Sequence, residues 1–195
     1  QHGYRPMADD QGPNAIRRND KIVKEEEYLT TAFGREAAAF ITKSRQQPWF
    51  LYLPFNSVHT PMHATEKKLE QFAEIDDAKR RTYAAMQSAM DDAIGVVLET
   101  LRTTGQEENT LIFFFSDNGG PLGVNGSRNG NLRGKKGETW EGGIHVPFVV
   151  QWKAKLPAGQ KCVHPVIQLD VLPTALAAAG IEVSPDWKLD GGQCS

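Results

Sequence analysis

The spacing of apolar residues along the chain predicts four helices. In each of them, apolar side chains recur every three or four positions, which is typical of a helix with one buried face. Gly105 and Gly180 follow two of these segments, where a glycine commonly ends a helix. The expected helices cover residues 25–43, 66–72, 78–103 and 169–179.

Three apolar runs predict strands, at residues 49–55, 110–116 and 144–152. The second run reads TLIFFFS and has no polar alternation, as expected of a strand that helices cover on both faces. Strands alternate with helices along the chain. We therefore expect an α/β fold with a mainly parallel sheet flanked by helices.

Residues 117–143 show neither the apolar spacing of a helix nor that of a strand, and they contain half of the 18 glycines of the chain. A loop of this length within a compact domain is usually either functional or disordered. This one carries Trp140 and lies between two apolar strands, so we favour a functional loop. Its glycines would let the backbone approach a ligand closely.

Composition excludes several classes of function. The chain has 195 residues and a formal net charge of −2, which gives no basic footprint for nucleic acid or an anionic membrane surface. No apolar run approaches the roughly 20 residues that span a bilayer. Cys162 and Cys194 are too few for a disulfide framework and lack the spacing of zinc ligands, and whether they pair stays open. Asn125 begins an N-glycosylation pattern, but such triplets often arise by chance.

Asp117 and Asn118 follow the strongest predicted strand. In a parallel sheet they would lie at the carboxyl end, where α/β folds bind their ligands. A carboxylate and an amide oxygen suit Ca²⁺ or Mg²⁺, but both residue types are also ordinary turn formers. Two ligands do not fill a calcium shell. Asp91 and Asp92 fall inside a predicted helix, where we interpret them as part of its solvated face.

Two further segments could contribute to an anion site. His59 follows the first predicted strand and could donate a proton, although a lone loop histidine is often bonded to backbone. Lys135 and Lys136 lie among glycines in LRGKKG, where a lysine could neutralise phosphate or sulfate, or could belong to a basic surface turn. The order of these segments along the chain makes one shared pocket plausible.

Four stretches of the sequence carry a recognisable combination of motifs: PWFLYLPFNSVHTPMHA, FFFSDNGG, LRGKKGETWEGGIHVPFVVQW and LDVLPTALAAAGI. In their residues, their order and their approximate spacing they resemble the sulfatase family of the alkaline phosphatase superfamily. SDNGG combined with LRGxKGxxWEGGxxVP is highly specific. The resemblance implies an alkaline phosphatase-like α/β fold and covers only the later half of the family's catalytic domain.

The resemblance also implies roles for individual residues. Asp117 and Asn118 match a pair of calcium ligands, and Ca²⁺ is favoured over Mg²⁺. Lys136 matches the lysine that contacts the sulfate group, whereas Lys135 stands where many members have glycine. His59 matches the histidine that binds the sulfate ester and helps to protonate the leaving alcohol.

Two other positions carry less information. Residues 140–143, the WEGG hallmark, are interpreted as structural, because they would shape the loop. His145 stands where arginine is common in the family, so no role is assigned to it.

Two family features do not occur in this sequence. The family takes its nucleophile from a Cys-x-Pro-x-Arg or Ser-x-Pro-x-Arg motif, whose first residue becomes formylglycine, and it has an early Asp-Asp pair of calcium ligands. Neither motif is present, and the resemblance implies that both precede Gln1. We therefore expect residues 1–195 to be the later portion of a sulfatase catalytic domain, without the upstream nucleophile region and the downstream small domain.

The resemblance implies a sulfuric ester hydrolase acting on a sulfated small molecule or carbohydrate, in a periplasmic, secreted or lysosomal setting. Hydrated formylglycine would attack sulfur and expel an alcohol. This chain alone should be inactive and bind Ca²⁺ weakly, and an exposed sheet edge could promote self-association. Two alternatives stay open: a phosphoester or phosphonate hydrolase of the same superfamily, and a non-catalytic relative that acts as a binding module.

Overall fold

The computed structural model of the chain describes residues 15–183, so Cys194 lies outside the described range. All four predicted helices are confirmed, with small differences at their ends. The helices of this range are α1 Leu29–Ser44, α2 Glu66–Glu70, α3 Ala78–Thr103, α4 Glu141–Ile144 and α5 Val171–Ala178. Its strands are β1 Arg17–Arg18, β2 Lys21–Ile22, β3 Ile112–Phe115 and β4 Phe148–Gln151.

Helices α1 and α3 pack against each other and bury the largest apolar side chains. Ile41 of α1 is 0% exposed and Leu101 of α3 is 1% exposed. The two helices approach each other closely at Gly34, where an added methyl group would lie 2.9 Å from the Cβ of Ala93. Small residues at the contact therefore set the distance between the helices.

Helix α3 covers the residues that the sequence predicts, and it ends at the predicted glycine. Asp77 caps the first turn, because its Oδ1 accepts the Arg80 N–H at 2.6 Å. At the other end Gly105 takes a φ of 72°, and the Gln106 N–H donates to the Leu101 carbonyl at 2.9 Å. This is the glycine-terminated helix end known as the Schellman motif. No helix within residues 15–183 has the length and apolar character needed to cross a membrane.

Strands β3 and β4 pair antiparallel, with Phe115 opposite Phe148. Mixed helices and strands agree with the α/β class, but both strand pairings in the described range are antiparallel, unlike the mainly parallel sheet expected from the sequence. The reason lies in the connection. The Ser116 N–H donates to the Pro147 carbonyl at 3.2 Å, so the chain returns to the sheet at the same end at which β3 finishes. A strand that starts there runs back beside β3.

Residues 49–55 do not form the buried strand that their sequence predicts. No strand partner for them lies in the described part of the chain, and Phe50 and Tyr52 are 77% and 74% exposed. Burial alternates along the segment, and Phe55 packs edge to face on Phe33 with ring centroids 6.3 Å apart. An apolar run alone does not reveal whether one or both of its faces are covered.

Candidate active site

Asp117 and Asn118 lie directly beyond β3, at the end of the sheet. The Ser116 hydroxyl donates to the Asn118 carbonyl at 3.0 Å, and Gln168 Nε2 donates to the Asp117 carbonyl at 3.4 Å. Asn118 Nδ2 donates to the Gly119 carbonyl at 3.1 Å, which leaves its Oδ1 available. The Asp117 side chain is exposed, and its carboxylate has no hydrogen-bond or ion-pair partner among the described residues. The Asp117 carboxylate and Asn118 Oδ1 are therefore two hard oxygen atoms that could bind a ligand here.

Four glycines, which we call the glycine clasp (Gly119, Gly134, Gly142 and Gly143), hold the loop against this turn. The Gly119 N–H donates to the Gly143 carbonyl at 2.9 Å, and the Gly142 N–H donates to the Arg133 carbonyl at 2.6 Å. A methyl group on Gly119 would overlap the Gly142 carbonyl, and one on Gly142 would overlap the Gly134 carbonyl. The glycines of WEGG are thus structural, because backbone contacts backbone where a side chain would stand.

His59 and Lys136 meet although 77 residues separate them in the sequence. The distance between His59 Nε2 and Lys136 Nζ is 3.3 Å. His59 Nδ1 lies 2.6 Å from the Thr60 carbonyl, which only accepts hydrogen bonds, so Nδ1 carries the proton of the neutral ring. Nε2 is then the acceptor for the Lys136 ammonium group. The contact defines the tautomer of His59.

His59, Asp117, Asn118 and Lys136 all line one open cleft. Within residues 15–183, no group of three His, Cys, Asp or Glu side chains lies close enough together to hold a metal ion. Ca²⁺ takes six to eight oxygen ligands. Asp117 and Asn118 offer two such oxygens, which is fewer than a calcium ion needs.

The other charged residues singled out in the sequence have different surroundings. Lys135 is exposed, and no ion-pair partner of it is found in the described part of the chain. His145 Nδ1 lies 2.7 Å from Glu141 Oε2 in an exposed pair. Asp92 pairs with Lys68 at 2.6 Å on the surface of α3, in agreement with a solvated helix face.

Sequence reasoning did not predict that the side-chain amides of Asn125 and Asn129 hold backbone segments near the site by hydrogen bonds. Asn125 is only 4% exposed, and its Nδ2 donates to the Val58 carbonyl at 3.1 Å. The glycosylation pattern at Asn125 therefore coincides with a buried, hydrogen-bonded amide in the folded chain. The only signal in the sequence was the repetition of asparagine in a glycine-rich loop.

A model of the sulfatase family, described as "Sulfatase", matches residues 2–181. The chain therefore belongs to the sulfatase family. This agrees with the motifs recognised in the sequence and with the arrangement of SDNGG against WEGG described above.

Curated relatives and solved structures support the assignment. The chain is 38% identical to rat steryl-sulfatase over 170 residues, covering 84% of this chain and 28% of that protein. It is 35% identical over 182 residues to the uncharacterized sulfatase YdeN of Escherichia coli (strain K12), covering 89% and 31%. It also resembles the crystal structure of Ps i-CgsB in complex with k-i-k-neocarrahexaose, with 42% identity, a TM-score of 0.86, and coverage of 91% and 40%.

The structural similarity confirms the alkaline phosphatase-like α/β fold expected from the resemblance. The chain spans 28% of rat steryl-sulfatase and 40% of the solved Ps i-CgsB chain. Residues 15–183 thus correspond to a portion of a sulfatase.

Proposed function

We propose that His59, Lys136 and the Asp117–Asn118 pair form part of an active site that hydrolyses a sulfate ester on a sugar. The observation that carries the proposal is the 3.3 Å contact between His59 Nε2 and Lys136 Nζ, in a cleft that Asp117 and Asn118 also line. The Lys136 ammonium group and the Nε2–H of a doubly protonated His59 ring can both donate to one small oxyanion. The structure of the relative solved with k-i-k-neocarrahexaose supports a carbohydrate as the substrate class.

Lys136 and His59 have different tasks in this proposal. The Lys136 ammonium group offsets negative charge on the sulfate oxygens, and a preorganised cation of this kind stabilises charge in the transition state. His59 keeps the hydrogen bond from Nδ1 to the Thr60 carbonyl in either protonation state, so Nε2 is the atom that faces the substrate. When doubly protonated, the ring donates its Nε2 proton to the leaving oxygen.

Asp117 and Asn118 are proposed as two ligands of a Ca²⁺ ion. The donor set fits, because a carboxylate and an amide oxygen without other partners in the described chain are hard ligands. When bound, the ion supplies Lewis-acid stabilisation of the sulfate oxygens. The remaining ligands would come from elsewhere in the full polypeptide, because within residues 15–183 no three acidic, histidine or cysteine side chains gather at one place.

The catalytic activity belongs to a longer polypeptide that contains residues 1–195 together with an upstream nucleophile region and a downstream small domain. The sequence has no Cys-x-Pro-x-Arg or Ser-x-Pro-x-Arg motif, and the relatives are two to four times as long as the matched portion. A formylglycine from that region would be the nucleophile. The compartment stays a prediction from the family.

Steady-state hydrolysis of an aryl sulfate and an aryl phosphate by the full polypeptide tests the proposal. Aryl sulfate should be preferred, and Lys136→Met should lower kcat/KM by about 100- to 1,000-fold, because one preorganised charge is lost. Lys135→Met is the matched control, since it removes the adjacent exposed lysine. We expect it to change kcat/KM by less than about threefold. Preference for aryl phosphate, or equal losses in both variants, would contradict the proposal.

A further inference from the structure

The proposed site residues lie on three separate loop segments, outside the helices and strands. His59 belongs to the loop after residues 49–55, Asp117 and Asn118 follow β3, and Lys136 lies in the glycine-rich loop. Two buried or half-buried side chains connect these segments. We call Asn125 and Asn129 the asparagine bridge.

Asn129 uses both ends of its amide to join two of the segments. Its Oδ1 accepts the Gly120 N–H at 3.0 Å, and its Nδ2 donates to the carbonyls of Gly120 and Gly134, each at 3.0 Å. Gly120 lies two residues after Asn118, and Gly134 lies two residues before Lys136. One side chain therefore fixes the backbone of the proposed calcium ligands relative to the backbone of the proposed sulfate-binding lysine.

Asn125 joins the third segment. Its Nδ2 donates to the carbonyl of Val58, the residue directly before His59, and its Oδ1 accepts the Ser127 N–H at 3.0 Å. Ser127 is 8% exposed, and its hydroxyl accepts the Leu122 N–H at 2.8 Å. A buried amide with both ends satisfied resists displacement, because an unpaired polar group would be left behind.

The surrounding backbone leaves the bridge little room to move. A methyl group on Gly120 would overlap the Ser127 hydroxyl and would lie 2.9 Å from Asn129 Oδ1. Gly120 also accepts the Lys136 N–H at 3.3 Å. The asparagine bridge is thus packed against Gly120, the residue to which the backbone of Lys136 is hydrogen-bonded.

We propose that Asn125 and Asn129 are positioning residues that set the distance between His59 and Lys136 and align both with Asp117–Asn118. The inference rests on the proposed sulfatase function for its catalytic consequence. Neither asparagine contacts the reacting atoms. A misplacement of about 1 Å in such a site can cost about 100-fold in rate, so the bridge affects the chemistry through geometry alone.

Asn129→Asp in the full polypeptide tests the inference, with Asn131→Asp as the matched control. The first variant keeps the size and the acceptor but replaces both Nδ2 donors, so a carboxylate oxygen faces the carbonyls of Gly120 and Gly134. Asn131 is exposed two residues further on, and no hydrogen bond from its side chain is found in the described chain. The charge change is the same in both variants.

We expect Asn129→Asp to lower kcat about 10- to 100-fold with little change in KM, as is typical when a group that orients a ligand is lost. Asn125→Asp should behave in the same way. The second readout is the nitrogen-15 NMR spectrum of the His59 ring, assigned with His59→Gln. It should shift in both bridge variants, because the Lys136 contact at Nε2 is lost, and should not shift in Asn131→Asp.

Unchanged kcat and unchanged His59 resonances in the folded bridge variants would overturn the inference, even if their melting temperatures fall. If Asn129→Asp does not fold, Asn129→Ser takes its place and should show a smaller loss of the same kind. A wild-type protein without sulfate ester hydrolysis, combined with shifted His59 resonances in Asn129→Asp, would reject the proposed function and leave the positioning role standing.

Discussion

The α1–α3 helix pair and the glycine-rich loop at residues 117–143 both depend on close approach, but different groups meet in the two regions. In the helix pair, side chains fill the interface, and Gly34 brings the backbone of α1 close to Ala93 of α3. In the loop, peptide groups contact one another directly through the glycine clasp, as when the Gly119 N–H donates to the Gly143 carbonyl.

The difference shows how each region tolerates change. An interface of side chains can repack when one atom is added, because neighbouring rotamers adjust. An interface of backbone atoms has no such freedom, since the carbonyl and amide groups are fixed by the chain itself. The proposed site therefore lies where the molecule is least able to adjust.

Gly119→Ala should have the largest effect on stability. The added methyl group would overlap the Gly142 carbonyl, so the clasp must open, and we expect a loss of about 3 kcal/mol or more in the free energy of unfolding. Gly123→Ala is the matched control in the same loop, because a methyl group there meets nothing within 4 Å. Urea titration followed by circular dichroism measures both. Equal stability of the two variants would refute the backbone interface.

Two helix glycines should give opposite signs. Gly34→Ala places a methyl group 2.9 Å from the Ala93 Cβ and should lower the free energy of unfolding by about 1 to 2 kcal/mol. Gly95→Ala in α3 meets nothing within 4 Å and should raise it by about 0.5 to 1 kcal/mol, because alanine favours the helix. The same urea titration compares them. A stabilising Gly34→Ala would mean that the two helices separate freely.

The smallest effect is expected for a surface ion-pair cluster at the start of α1. Hydrogen bonds from Arg35 lower the pKa of the Glu25 and Glu36 carboxyls. A carboxyl whose folded pKa is lowered stabilises the fold above its unfolded pKa, and this contribution disappears as the pH falls through the folded value.

Arg35→Met should therefore lower the urea midpoint slightly at pH 7, and this difference should fade as the pH falls toward about 2, through the lowered pKa of each carboxyl. The effect is small because Arg35 and Glu36 are exposed and Glu25 is only partly buried. A series of urea titrations between these pH values measures it. A difference that persists at low pH would assign the role of Arg35 to packing instead.

The sequence predicts correctly those elements whose residues act only on their near neighbours in the chain. Helix α3 begins and ends at the residues expected, because its apolar stripe and the terminating Gly105 both act within a few positions. Residues 49–55 were predicted wrongly as a buried strand, since an apolar run does not reveal its neighbours. Antiparallel pairing of β3 with β4 also escaped prediction, because it depends on where a long loop returns.

The candidate site divides in the same way. The family motifs in the sequence predict His59, Asp117, Asn118 and Lys136 as site residues. The asparagine bridge had no motif, because its hydrogen bonds join residues that are up to 67 positions apart, as in the contact of Asn125 with the Val58 carbonyl. Spacing along the chain gives no information about such a partner.

The central claim is that His59 and Lys136 act on one anion, and a double-mutant cycle tests it most directly. We would measure kcat/KM for an aryl sulfate with the full polypeptide, its His59→Gln and Lys136→Met variants, and the double variant. The account predicts strong non-additivity, with the double variant losing little more than the worse single variant, because both side chains serve the same transition state. Losses that multiply, as for two independent sites, would contradict the account.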